Sequence, residues 1–451
     1  MRWWIYQILF AVAYVAMLPK FLFRMARRGG YADRFADRFG RYPADVSDRL
    51  KEMAGDAVWI HAVSVGEVSV AAEIMNALRK ESPAIRFVLS TTSSTGWMQA
   101  QKAVSSVDEV LYCPLDFPPC VRRALDTVRP RAFILTETEI WPNLIRACHN
   151  RGIPLFLVNA RVSDRSAPGY RRLRFWFGPA LRCFARIYAQ SRLDAGRLID
   201  AGASPATVEI AGSMKFDAAR RNPAVESRIA DYLAKCGLDC GHIMLLGGST
   251  WPGEDRMLME LYLKLRNEFT NLRLAIVPRH FEKADAVEEN ARSLGLGVLR
   301  KSRSPVPGAD DAAAFSGGRA IVLADTTGEL AGFYARADMA VVGKTFLDGE
   351  PGGQNMIEPC LCGCATVVGP HTENFRPVMS DLLDAGALVQ VANPEEMEEQ
   401  LRRWLSESGE REAQRNRAAS AVAARGGVAG RCAKEICAIV EAKEGRCHEN
   451  G

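Results

Sequence analysis

The amino-acid sequence predicts an α/β protein built from two doubly wound domains, each a parallel sheet flanked by helices. Three observations carry that expectation. Short apolar runs alternate with helical periodicity, the pattern occurs in both halves of the chain, and a polar stretch with proline separates the halves. A chain of 451 residues has room for two or three domains of ordinary size.

In the first half, residues 57–62 (AVWIHA), 86–90 (RFVLS), 132–136 (AFILT) and 154–158 (PLFLV) read as strands. A parallel strand covered on both faces needs a continuous apolar run rather than an alternating one. Helices are expected over 68–81 and 141–151. The second half repeats the style at 243–246, 272–277, 321–324, 340–342 and 366–368. The boundary falls in 213–228 (SMKFDAARRNPAVESR), so the expected domains are 25–217 and 218–430, followed by a helix and tail over 431–451. Such sheets bind ligands at the carboxyl ends of their strands, which makes a crevice between the halves the expected site.

Residues 3–18 carry no charge and apolar character resumes at 21–23. Arg24, Arg27, Arg28, Arg34, Arg38 and Arg41 follow. A membrane anchor over residues 1–24 is expected, with the folded body on the cytoplasmic side by the positive-inside rule. A cleaved signal peptide fits poorly, because its basic segment would be only Met1-Arg2. A helix lying at the interface or in the core stays open.

Composition closes other routes. Lys+Arg 58 against Asp+Glu 53 is too small an excess over this length to argue for nucleic acid. The 12 cysteines are scattered without a C-x2-C pair, so they are expected to be reduced, structural thiols in the cytosol. Cys360, Cys362 and Cys364 fall in a run that reads as helix.

The polar residues that matter follow strand ends. Glu67, in Ser64-Val65-Gly66-Glu67 after the first strand, reads either as a helix-start acid or as a base facing the crevice. His61 reads as structural. Glu137 and Glu139 follow 132–136, and two carboxylates there are costly unless one caps and the other meets a ligand or cation. Lys215 stands at the domain junction, either as a solvated charge or as part of the site. In the second half, Gly247-Gly248-Ser249-Thr250 suits a phosphate cradle, though it is neither a P-loop nor G-x-G-x-x-G. Arg279 suits a phosphate, Glu358 a ribose, and 326–330 and 352–358 supply further loops at the same ends of the strands. Together they point to a nucleotide-bearing ligand. No D-x-D occurs, so neither a metal site nor a cofactor is expected.

HAVSVGEV (61–68), ETEIWPNL (137–144), NARVSDRS (159–166), GSMKFD (212–217), VPRHFE (277–282), DTTGELAGFYARAD (325–338), GGQNMIEP (352–359) and GPHTENF (369–375) resemble, in this order, the bacterial 3-deoxy-D-manno-octulosonic acid (Kdo) transferases. The resemblance implies a GT-B fold and inverting transfer of Kdo from CMP-Kdo to a lipid A precursor at the inner face of the cytoplasmic membrane. It further implies Glu67 as general base, with Glu137 and Lys215 stabilising the transition state. Pro278-Arg279, Thr327-Gly328-Glu329 and Asn355-Met356-Ile357-Glu358 would bind CMP. Lys344-Thr345-Phe346, the segment 347–351 and Gln354 depart from the family pattern. Another two-domain nucleotide-sugar enzyme would not be expected to show S-V-G-E followed by E-T-E-I-W-P-N, and intact Glu67, Glu137, Lys215 and Arg279 argue against an inactive membrane-tethered binding protein.

Overall fold

The computed structural model describes residues 3–28, 34–102, 107–238, 240–347 and 352–449. The chain forms two units, Met1–Ala218 together with Gly427–Gly451, and Ala219–Gly426.

The first unit is built on seven parallel strands: β1 (Ala57–His61), β2 (Arg86–Thr91), β3 (Glu109–Tyr112), β4 (Ala132–Thr136), β5 (Leu155–Ala160), β6 (Arg186–Ala189) and β7 (Val208–Ile210). Their order is β3-β2-β1-β4-β5-β6-β7. Every residue of β1, β4 and β5 is buried, which is why these strands stand out as unbroken apolar runs. β3, β6 and β7 are short and each carries a charged residue, so the pattern reading passes over them. β1 pairs with β2 on one side and β4 on the other, and the winding direction reverses between β1 and β4. Ligands of doubly wound sheets sit at such a reversal.

The C-terminal helix, Val428–Glu449, completes this unit's core. Its Val428, Ala429, Cys432, Ala433, Ile436 and Val440 pack in one cluster with Val68, Ala71, Ile74 and Met75 of the Val65–Glu81 helix. The start of the C-terminal helix is held by Asp217, whose Oδ2 accepts the Ala429 N–H at 2.7 Å.

The N-terminal helix spans Trp3–Arg28 with Pro19 inside it. No helix among the described residues is long and apolar enough to cross a membrane, so the structure adds no support to a spanning anchor over 1–24. One face is used within the unit, where Phe10 and Tyr14 pack edge-on against Phe117 at 5.1 and 5.5 Å between ring centroids. Arg34 and Arg38, expected at the membrane, serve the fold instead. Arg34 pairs with Asp37 at 2.9 Å, and buried Arg38 donates to the Thr92 carbonyl at 2.7 Å and lies over the Tyr112 ring. The side chains of Arg24, Arg27 and Arg28 lie outside the described residues.

The second unit has β8 (Ile243–Thr250), β9 (Leu272–Pro278), β10 (Gly297–Arg300), β11 (Ala320–Leu323), β12 (Met339–Val342), β13 (Ala365–Val368) and β14 (Val389–Gln390), ordered β10-β11-β9-β8-β12-β13-β14. The reversal here lies between β8 and β12. Gly247–Thr250 belongs to β8 rather than to a turn, and Gly248 pairs with Val342 of β12. Glycine is required at 248 because an added Cβ would lie 2.0 Å from the Tyr334 hydroxyl oxygen. The polar, Pro- and Gly-rich stretch 302–318, which as a sequence reads as a surface loop, contains the helix Ala309–Ser316, anchored by fully buried Phe315. The helix that carries Cys360 ends at Leu361, and Gly363, at φ 70°, turns the chain so that Cys364 leads into β13. All the cysteines among the described residues are free thiols.

Candidate active site

At the β1–β4 reversal the chain sets a group of carboxylates. The helix after β1 begins with Ser64 as its N-cap, whose Oγ accepts the Glu67 N–H at 3.3 Å. Glu67 turns back so that its Oε2 accepts the Val63 N–H at 3.0 Å and the Thr136 hydroxyl at 3.1 Å. The helix-start reading of Glu67 is met through Oε2, while Oε1 has no hydrogen-bond partner among the described residues. Glu67 is 7% exposed. His61 is fully buried, its Nδ1 3.0 Å from the Ser90 carbonyl, and burial pushes its pKa down to about 4, which suits the structural reading.

Glu137 follows β4 in the left-handed region at φ 53°, a conformation that costs a non-glycine residue about 1–3 kcal/mol and is often found where a side chain must be aimed. Its Oε1 lies 3.9 Å from Lys215 Nζ. Burial raises the Glu137 pKa first. Lys215 and Arg161 oppose that shift, while Glu67 adds to it. Lys215 is partly buried, at 25% side-chain exposure, and so is not a solvated surface charge. Asn159 at the end of β5, also in the left-handed region, accepts the Met214 N–H at 3.0 Å and fixes the backbone just before Lys215.

Glu139 was not singled out in the sequence for any role. Its Oε2 accepts the Trp141 indole N–H at 3.1 Å. Burial, then the charges of Glu67 and Glu137, push its pKa up to about 7. The available signal was the pair of carboxylates two residues apart, but spacing cannot say which of the two is the more strongly perturbed.

In the second unit, the expected nucleotide-binding residues follow several strands. Pro278 closes β9 and lines a cavity of about 290 Å³ with Thr250, Trp251, His280, Lys283 and Asn290. Arg279 is exposed, held by its N–H to the Thr250 carbonyl at 2.9 Å. Thr327 and Gly328 are exposed, with Gly328 at φ 81°. Glu329 is already engaged by Lys301 at 3.0 Å and Arg228 at 3.2 Å. Burial works to raise its pKa, but hydrogen bonds from Thr326 and Lys301 hold it below the usual value. Asn355 Nδ2 donates to Glu358 Oε1 at 2.9 Å, and burial raises the Glu358 pKa. Met356 and Ile357 are core residues at 0% and 1% exposure, so only their backbone can face a ligand.

Glu254 is a residue whose importance the sequence did not reveal. Its buried carboxylate accepts four backbone N–H groups, from Trp251 (2.9 Å), Lys344 (2.7 Å), Thr345 (3.0 Å) and Phe346 (3.1 Å). It thereby ties the loops after β8 and β12 across the reversal. Lys344, at φ 58°, lies with its ammonium 4.5 Å from the Trp251 ring. Gly352 approaches so closely that a Cβ there would meet the His371 and Lys344 backbone oxygens at 2.5 Å. Of the segment 347–351, all but Leu347 lies outside the described residues.

Two family models match this chain. The model for 3-deoxy-D-manno-octulosonic-acid transferase covers residues 33–218, and glycosyl transferases group 1 covers residues 319–421. The 3-deoxy-D-manno-octulosonic acid transferase of Bordetella pertussis is 33% identical over 423 residues, 90% of this chain and 92% of that protein. The chain belongs to the Kdo transferase family. It is thus a glycosyltransferase, and its two parallel-sheet domains are those of the GT-B type. UDP-GlcNAc 2-epimerase from Neisseria meningitidis, bound to UDP-GlcNAc, shares the fold at 12% identity, with TM-score 0.55 and coverage of 86% of this chain and 100% of that one. The C-terminal CMP-Kdo binding domain of WaaA from Acinetobacter baumannii is 25% identical, with TM-score 0.40, over 45% of this chain and 99% of that one.

Proposed function

We propose that this Kdo transferase family member moves Kdo from CMP-Kdo to a lipid A precursor with inversion, and that Glu67 is the general base. The observation that carries the reading is the carboxylate of Glu67, held through Oε2 by Thr136 and the Val63 N–H with Oε1 left for an acceptor, beside the Glu137–Lys215 pair. Oε1 takes the proton of the acceptor hydroxyl as its oxygen attacks the anomeric carbon. The bond from that carbon to the phosphate oxygen breaks on the opposite face, and its electron pair leaves with CMP. Charge on the sugar is positive in such a transition state, which suits ionised Glu137; Lys215 pairs with the Kdo carboxylate or the departing phosphate.

In the second unit, Arg279 pairs with the CMP phosphate, Asn355 and Glu358 hold the ribose, and Pro278, Thr327, Gly328 and the backbone of Met356 and Ile357 complete the contact. Glu329, engaged by Lys301 and Arg228, supports the 327–328 loop. A monophosphate leaving group carries less charge than a diphosphate, so arginine and backbone dipoles suffice without a metal.

The N-terminal helix anchors the chain at the cytoplasmic face of the inner membrane. Its outward face exposes Ile8, Leu9, Val12 and Val15, a surface suited to the interfacial layer.

The test is incubation of the purified full chain with CMP-Kdo and lipid A precursor in detergent, with products read by mass spectrometry, with and without EDTA. Transfer that survives the chelator supports the reading. Loss in EDTA with recovery in magnesium overturns metal independence, and no transfer in either arm overturns the reaction.

A further inference from the structure

Asp116 lies outside every motif noted above, yet it is 1% exposed and its carboxylate is surrounded by donors. Oδ2 accepts the Asn143 N–H at 3.0 Å and the Tyr6 hydroxyl at 2.8 Å, and Oδ1 accepts the Leu144 N–H at 2.8 Å. Its own carbonyl accepts the Asn143 amide.

Asn143 and Leu144 are the second and third residues of the Pro142–Asn150 helix, whose N-cap, Trp141, gives no side-chain cap. Pro142 has no N–H to satisfy, so Asp116 takes the first two amides that need an acceptor. Directly before this helix runs the 137–141 loop, which carries Glu137 in its left-handed conformation and Glu139 tied to Trp141. The third donor, Tyr6, comes from the N-terminal helix, on the same face as Phe10 and Tyr14.

We propose that Asp116 is a positioning residue that makes the setting of the 137–141 loop depend on the N-terminal helix being docked through Tyr6. The effect on turnover rests on the transferase reading above; the coupling itself does not. The physical basis is the cost of a buried carboxylate. With Tyr6 in place it has three donors and is shut from water. Without the hydroxyl it must draw in water or shift, and the two amides it holds move with it. Burial pushes the Asp116 pKa up to about 6, which shows how little spare solvation the group has. The opposite face of the same helix is the exposed apolar one, so a lipid surface that seats the helix also sets the loop.

The experiment uses the full chain and Tyr6→Phe, which removes one oxygen and keeps the ring packing. Hydrogen–deuterium exchange over residues 137–150 is expected to rise. Turnover at saturating acceptor is expected to fall about 3–10-fold with the donor KM within about twofold. Asp116→Asn, which keeps the volume but not the charge, is expected to move both readouts the same way. If wild-type protein shows no transfer while Tyr6→Phe still raises exchange over 137–150, the reaction is wrong and the coupling stands. Unchanged exchange there in Tyr6→Phe overturns the coupling. So does a uniform rise over the whole first unit with a lowered unfolding midpoint, which would make Tyr6 a general stability residue.

Discussion

Thr136, the last residue of β4, places its hydroxyl 3.1 Å from Glu67 Oε2 and 3.0 Å from the His61 carbonyl, so neighbouring strands fix one oxygen of the carboxylate and leave the other unoccupied. On the proposed reading, a base held this way starts in the orientation it needs, and little freedom remains to be lost when the acceptor arrives.

Glu67→Gln is therefore expected to lower turnover by about 10²–10⁴-fold, the usual range for loss of a general base, since the amide accepts the same cap bond but not a proton. Thr136→Val removes the orienting contact to Glu67 together with the bond to the His61 carbonyl and is expected to cost about 10-fold. Calorimetry should find CMP affinity within about twofold of wild type in both variants. Near-normal turnover in Glu67→Gln would assign the base elsewhere.

Glu139 titrates near pH 7, where an ordinary glutamate is ionised. Below that pH it is neutral. Above it, its negative charge stands near the proposed reaction centre, which favours a positively charged sugar. Turnover is expected to rise with pH between about 6 and 8, and Glu139→Gln should flatten that limb. The stability effect has the opposite sign. An acid whose folded pKa is raised favours folding when protonated, so this contribution declines as pH rises from the ordinary glutamate range through about 7. A pH–rate profile unaltered by the substitution would remove Glu139 from the reaction.

Arg279→Ala should weaken CMP binding by about 10-fold or more, the loss expected for a charge-assisted phosphate contact. Glu329→Gln should act differently, because its carboxylate already pairs with Lys301 and Arg228. Its unfolding midpoint is expected to fall while CMP affinity moves less than in Arg279→Ala. Calorimetric titration and thermal melts on the two variants separate the roles.

His61 supplies an acid-stability prediction. Its folded pKa is depressed to about 4 by burial, below the ordinary histidine value near 6.5. The unfolded chain takes up that proton first, so stability is lost as pH falls from about 6.5 towards 4, by at most about 3 kcal/mol. Unfolding midpoints measured across that interval should drop in wild type and drop less in His61→Asn.

What the sequence by itself determined was whatever depends on local periodicity and on motif order. The buried centres of both sheets were legible because Ala57–His61, Ala132–Thr136 and Leu272–Pro278 are predominantly apolar, as strands covered on both faces usually are. Edge strands such as Val208–Ile210, half in solvent, carry no such signal. The family, too, could be read from the order of its motifs. Contacts between residues far apart in the chain had no local signature. Asp116 meets Tyr6 110 positions away, Glu254 holds amides about 90 positions on, and Asp217 caps a helix 212 positions later. The Glu67 carboxylate meets the Thr136 hydroxyl 69 residues distant, and the N-terminal helix packs Phe10 and Tyr14 on Phe117, a residue more than 100 positions on. Local pattern reports which face of an element is apolar. Only the packed chain determines which partner covers that face, and with it which carboxylate oxygen is taken and which is left for chemistry.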